Sequence, residues 1–294
     1  MDILHLLTDP LAYGFMVRAL LAAIMVGIIC PVVGTYMVLK GLSFFGDALA
    51  HSILPGVVLT FLFGWPLALG AMISALVAAF LIGVISQRST LQEDTAIGIV
   101  FAGAFALGVA MISTASNYAV DLTHILFGDV LGVSTTDLWV MLVLGLVVLG
   151  AIVAFYKEFL VLTFDPVLAL VLRLPATALR YLLLGVIALT VVTSLQTVGI
   201  ALVLAMLVTP AATAQLLTRR LPPMMMVAAL LGVFANVTGL YISYYLNIAS
   251  GPTMVLVSTL IFGLVFLFAP GRGIIWRMTS NGGRSPAGAS PTSR

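Results

Sequence analysis

Asp47 and His51 stand four residues apart inside the otherwise apolar stretch S-F-F-G-D-A-L-A-H-S-I-L-P (43–55). On a helix that spacing puts both side chains on one face, one turn apart. A carboxylate and an imidazole together suit a divalent transition metal such as Mn2+, Zn2+ or Fe2+. Two donors are half a site. A symmetric pair of chains meeting at this face would bring two Asp and two His together, and two carboxylates neutralise a divalent cation. The same residues also have a plainer reading: Asp47 complements the positive end of a helix dipole, and His51 hydrogen-bonds a neighbouring helix.

A second constellation is P-A-A-T-A-Q-L-L-T-R-R (210–220), a short amphipathic stretch followed by Pro222-Pro223. Prolines at both ends predict a separate surface helix. Such an element either joins two neighbours or docks a soluble partner through Pro210, Ala211, Ala212, Thr213, Ala214, Gln215, Arg219 and Arg220. No G-x-x-x-x-G-K-[ST] loop occurs, so any ATP-driven step needs a separate subunit to bind the nucleotide. Ala48, Ser52 and Gly56 are small residues at four-residue spacing, a pattern that lets helices approach closely. Asp121 and His124 are expected in a solvated loop, and Asn236 in an interhelical hydrogen bond.

The elements that must position these residues are membrane spans. Of 294 residues, 62% are hydrophobic and 7% charged, against about a quarter charged in soluble domains. That composition excludes a water-soluble globular fold and predicts an all-α polytopic membrane protein. A net charge of +2 without a basic run gives no reason to expect nucleic acid as a partner. Cys30 is the only cysteine, which excludes an intrachain disulfide and a thiolate cluster. At about 20 residues per span, the hydrophobic runs predict eight to nine transmembrane helices: 13–39, 43–63, 67–85, 95–114, 135–155, 181–210, 224–246 and 253–268. The sixth is long enough to break near Gly199 into one full span and one short one. Residues 156–180 read as a loop with a short helix or two. Residues 1–12 form an interfacial lead-in, 13–278 the transmembrane domain with the 210–220 segment inside it, and 279–294 a Gly, Ser and Pro-rich disordered tail.

Ionisable groups at membrane depth cost several kcal/mol unless paired or facing a polar cavity, which makes Asp47 and His51 functional candidates. Nine segments with an external N-terminus and a cytoplasmic C-terminus put Lys40, Arg88, Lys157, Arg173, Arg180, Arg219, Arg220, Arg272 and Arg277 on the cytoplasmic side. Arg18 is the exception, near the outer end of the first span.

The stretch V-L-K-G-L-S-F-F-G-D-A-L-A-H-S-I-L-P-G-V (38–57) resembles the signature of the manganese/zinc/iron type of ABC transporter permease. The likeness runs from about Phe15 to Phe268 and includes E-D-T-A-I-G-I-V (93–100), L-T-H-I-L-F-G (122–128), F-D-P (164–166), V-G-I-A-L-V-L-A-M-L-V-T-P-A-A-T-A (198–214) and G-L-Y-I-S-Y-Y-L-N (239–247). The resemblance implies a type II-like permease in a bacterial plasma membrane, not itself an enzyme and with no permanently bound cofactor. It further implies a homodimer, two cytoplasmic ATPase subunits that bind ATP, and an extracytoplasmic metal-binding protein. By the same resemblance Asp47 and His51 are the metal pair, and T-P-A-A-T-A (209–214) leads the segment that docks on the ATPase. Manganese is the first expectation for the cargo, with zinc or ferrous iron as alternatives. An intramembrane metallohydrolase is the competing class, but it calls for an H-E-x-x-H type motif that this chain lacks.

Overall fold

The computed structural model describes residues 9–113 and 130–269. Its helices are α1 (Gly14–Lys40), α2 (Phe45–Ser52), α3 (Leu54–Leu62), α4 (Leu67–Arg88), α5 (Glu93–Ile112), α6 (Thr135–Ala154), α7 (Tyr156–Phe164), α8 (Pro166–Val171), α9 (Ala176–Val198), α10 (Ile200–Leu217), α11 (Leu221–Leu246) and α12 (Ser250–Phe268). Short 3-10 turns cover Pro10–Ala12 and Val130–Gly132. No strand occurs among the described residues. Eight helices are long and apolar enough to cross a membrane, with α2 and α3 together counting as one, and α10 is a shorter apolar ninth. The tail from 279, the outer-loop residues Asp121 and His124, and residues 1–8 of the lead-in lie outside the described residues.

Backbone chemistry accounts for the ends. Gly199 separates α9 from α10 at φ +83°, ψ 165°, a region that only glycine visits at low cost. The break expected there is present. Ser134 caps α6 reciprocally: its hydroxyl accepts from the Asp137 amide at 3.2 Å while the Asp137 carboxylate accepts from the Ser134 amide at 3.1 Å. Glu93 and Asp94 occupy the first turn of α5, where carboxylates complement the helix dipole.

α1 is the hub, packed on α6, α9, α10 and α11. Where it crosses α10, a Cβ on Gly34 would meet the Leu207 backbone, so a bare Cα is required for this approach. Asn236 on α11 donates from Nδ2 to the Ala23 carbonyl at 2.8 Å, the interhelical bond expected of it. Side chains on the outer faces, such as Phe80, Leu146, Leu230 and Leu256, are more than half exposed. On an apolar surface of this extent they face hydrocarbon rather than water.

Charges gather at one end of the bundle. Arg180 at the start of α9 pairs with Glu93 and donates to Ser86 Oγ at 2.6 Å. This joins the end of α4 to the beginnings of α5 and α9. Leu39, next to Lys40, packs on Ala214, Met224 and Ala228 at the α10–α11 corner of the same end. At the opposite end Arg18 donates from Nε to the Val133 carbonyl at 3.0 Å. The cation that breaks the charge pattern therefore satisfies itself on a backbone oxygen.

Candidate metal pair on a broken membrane helix

The site is built on α2. Gly41, at φ +73°, stops α1 by turning its amide back onto the Met37 and Val38 carbonyls. Leu42 and Phe45 then make turn hydrogen bonds to Met37 and Leu42. α2 begins after Phe44 with no side-chain cap. Ser43 lies outside the helix and does not cap it.

The second span is divided in two. α2 ends at Ser52 and α3 starts at Leu54, with Ile53 between them. Pro55 explains the break: it has no amide to give the His51 carbonyl, and its ring crowds that carbonyl. The neighbouring helix compensates, since Ser74 Oγ on α4 donates to the Ser52 carbonyl at 2.7 Å. The small-residue stripe expected from sequence makes this closeness possible. Ala48 and Ser52 are buried, and a Cβ on Gly56 would strike the Gly70 carbonyl and come within 2.7 Å of Ser74 Cβ.

Asp47 and His51 share the remaining face of α2. His51 Nε2 stands 3.5 Å from Asp47 Oδ1, with the side chains 30% and 43% exposed respectively. That separation is long for a hydrogen bond, but it suits two donors to one ion. Ligands each about 2.1 Å from a metal at a tetrahedral angle stand about 3.4 Å apart. No group of three or more His, Cys, Asp and Glu occurs among the described residues. Among the described residues the pair thus offers one N and one O donor, with no third such side chain beside them.

Depth is not what residue counting suggests. Asp47 is the third residue of its helix. In the fold, Gly46 lies under the side chains of Leu204 and Leu207, well inside α10. The His51 ring meets Phe101 and Phe105 near the middle of α5. α2 begins deep within the bundle, so the pair lies level with the middle of α5 and α10. These two phenylalanines escaped the sequence reading. Their only signal is a four-residue spacing, which any lipid-facing helix can show.

The 210–220 segment differs from expectation. It does not form a separate surface helix; Pro210 lies inside α10, which runs unbroken from Ile200 to Leu217. Proline costs a membrane helix one hydrogen bond, a loss that neighbouring groups can offset. The carbonyl left without its amide is that of Met206, and one turn further on Thr213 Oγ1 donates to the Thr209 carbonyl at 2.7 Å. Pro210, Ala211, Thr213 and Ala214 are buried, Ala212 and Gln215 half-buried, and Leu217, Arg219 and Arg220 exposed. Pro222 and Pro223 sit in the first turn of α11, where a missing amide costs nothing. They start the next helix instead of fencing off the previous one.

The rest of the chain has clear relatives. Residues 12–269 match the ABC 3 transport family. The chain is 48% identical over 267 residues to the manganese transport system membrane protein MntC of Halalkalibacterium halodurans, covering 91% of each chain. It is 41% identical over 263 residues to the chelated iron transport system membrane protein YfeD of Yersinia pestis, covering 90% of this chain and 88% of that one. Among solved structures, PsaBC from Streptococcus pneumoniae in complex with Fab matches with a TM-score of 0.82 at 37% identity, over 96% of this chain and all of that one. With sequence and fold in agreement over nearly its whole length, this polytopic membrane chain belongs to the ABC 3 transport family.

Proposed function

We propose that this chain is the membrane permease of an ATP-driven importer of divalent transition metal ions in a bacterial plasma membrane, with manganese as its principal cargo. The observation that carries the reading is the Asp47–His51 pair, two metal donors 3.5 Å apart on an uncovered face of a membrane helix. Facing lipid, that carboxylate would cost several kcal/mol, so a second polypeptide is expected over it. In the proposed assembly two copies meet there and hold the ion between two Asp and two His. Manganese is favoured by likeness to the manganese transport protein of Halalkalibacterium halodurans. Ferrous iron or zinc is the second reading, motivated by the Yersinia pestis relative named for chelated iron. A carboxylate–imidazole set also binds Zn2+ more tightly than Mn2+.

In this scheme an extracytoplasmic binding protein delivers the ion, and two ATPase subunits dock at the charged end of the bundle, where α12 also ends. The exposed end of α10, with Leu217, Arg219 and Arg220, receives their motion. The buried Pro210, Ala211, Thr213 and Ala214 act through packing rather than by direct contact with the partner. Asp47→Ala and His51→Ala are each expected to abolish manganese uptake into vesicles while leaving membrane insertion and assembly with the ATPase intact. Wild-type uptake by both variants would overturn the reading.

A further inference from the structure

We propose that Phe101 and Phe105 are positioning residues for His51, holding its imidazole so that Nε2 faces Asp47. This inference rests on the reading of Asp47 and His51 as the cargo site. A metal-binding histidine usually has its second ring nitrogen tied to a carboxylate or a carbonyl, which fixes the ring before the ion arrives. Among the described residues no such hydrogen bond orients His51. Aromatic rings take that place. The imidazole centroid lies 5.6 Å from Phe101 at an interplanar angle of 65°, and 5.9 Å from Phe105 at 87°. Both are edge-to-face arrangements, the preferred geometry for aromatic pairs.

The two phenyl rings support each other at 6.1 Å and 23°, one turn apart on α5. A quarter turn of the imidazole about its Cβ–Cγ bond turns Nε2 away from Asp47 and breaks the edge-to-face geometry with both rings, so the phenyl rings fix the plane in which Nε2 stands 3.5 Å from Asp47 Oδ1. The orientation is thus imposed by α5 on a residue of α2, so it holds only while the two helices stay in register. Phe105 is 42% exposed and lies beside the half-exposed pair, so it belongs to the rim of the half-site rather than to the buried core. A ring kept for bulk alone could be exchanged for leucine without consequence for the metal.

The test uses the full chain in its assembled membrane complex, in lipid nanodiscs, loaded with Mn2+ alone. Pulsed electron paramagnetic resonance reads the 14N modulation from an imidazole bound to Mn2+. Wild type is expected to show it and His51→Ala to lose it. The double variant Phe101→Leu, Phe105→Leu is expected to lose most of the modulation and to bind Mn2+ about tenfold more weakly, while Phe105→Tyr, which keeps the ring, retains both. Full 14N modulation and unchanged affinity in the double variant would overturn the positioning role. If the double variant does not assemble, Phe105→Leu alone decides, since its ring lies at the rim: a partial loss of modulation supports the role and none refutes it. A wild-type modulation that survives His51→Ala would instead refute the cargo-site reading, and the proposal with it.

Discussion

Gly34→Ala tests whether the contact between α1 and α10 sets the geometry around Asp47 and His51. The new Cβ would meet the Leu207 carbonyl group, lying 2.7 Å from its carbon and 3.2 Å from Leu207 Cα. Ordinary carbon contacts lie near about 3.5–4.0 Å, so α10 must retreat by roughly 1 Å. Backbone cannot swing aside as a flexible side chain can. Overpacking of this kind costs about 1–3 kcal/mol, partly offset by the gain of roughly 0.5–1 kcal/mol from replacing a helical glycine with alanine. A net loss of about 1–2 kcal/mol is expected, read as a lower midpoint of thermal unfolding in detergent. Gly185→Ala is the control, because a Cβ there meets nothing within 4 Å. Only the propensity gain applies to it, so it should be neutral or slightly stabilising. Gly34→Ala as stable as Gly185→Ala would refute the close approach, and with it the placement of Leu207 over Gly46.

The pair Glu93–Arg180, bridged to Ser86, is half-exposed at the charged end of the bundle. A double-mutant cycle with Glu93→Gln and Arg180→Met is expected to give a coupling energy of about 1–2 kcal/mol, between exposed and buried pairs; additive effects on thermal stability would show that the pair contributes nothing. Arg219→Ala combined with Arg220→Ala, both exposed beyond the end of α10, should weaken metal-stimulated ATP hydrolysis in the assembled transporter. Mn2+ binding should be unchanged, and unaltered coupling would move the docking surface elsewhere.

Hydrophobic runs located the spans because each is long and separated from the next by Gly, Pro or charge, as at Gly64-Trp65-Pro66 and Asn247. The break at Gly199 was readable from a lone glycine in a polar interruption of an overlong run. Asp47 and His51 were readable because ionisable side chains in an apolar segment demand an explanation. Three features were not. Pro210 looks like a helix start in one dimension, whereas in three the flanking turns and packing carry the chain through it. The depth of α2 depends on where its neighbours end, which no residue count reports. Glu93 and Arg180 are far apart in sequence, and loop charges put them on one side of the membrane without making them partners.

The continuity of α10 bears on how the proposed transporter works. A separate docking helix would need a joint to pass its motion to the metal pair. The actual helix runs from the exposed Leu217 to Leu207 and Leu204, whose side chains cover Gly46 beside Asp47. α2 is short, and the break at Ile53 sets it off from α3. α10 therefore links the charged end directly to the turn of α2 that carries Asp47, with Pro210 interrupting its hydrogen-bond ladder on the way. In the proposed transporter the motion that would open the site inward is a shift of α2 against α5. Such a shift would draw His51 out from beside Phe101 and Phe105 and so join release of the ion to loss of its ligand geometry.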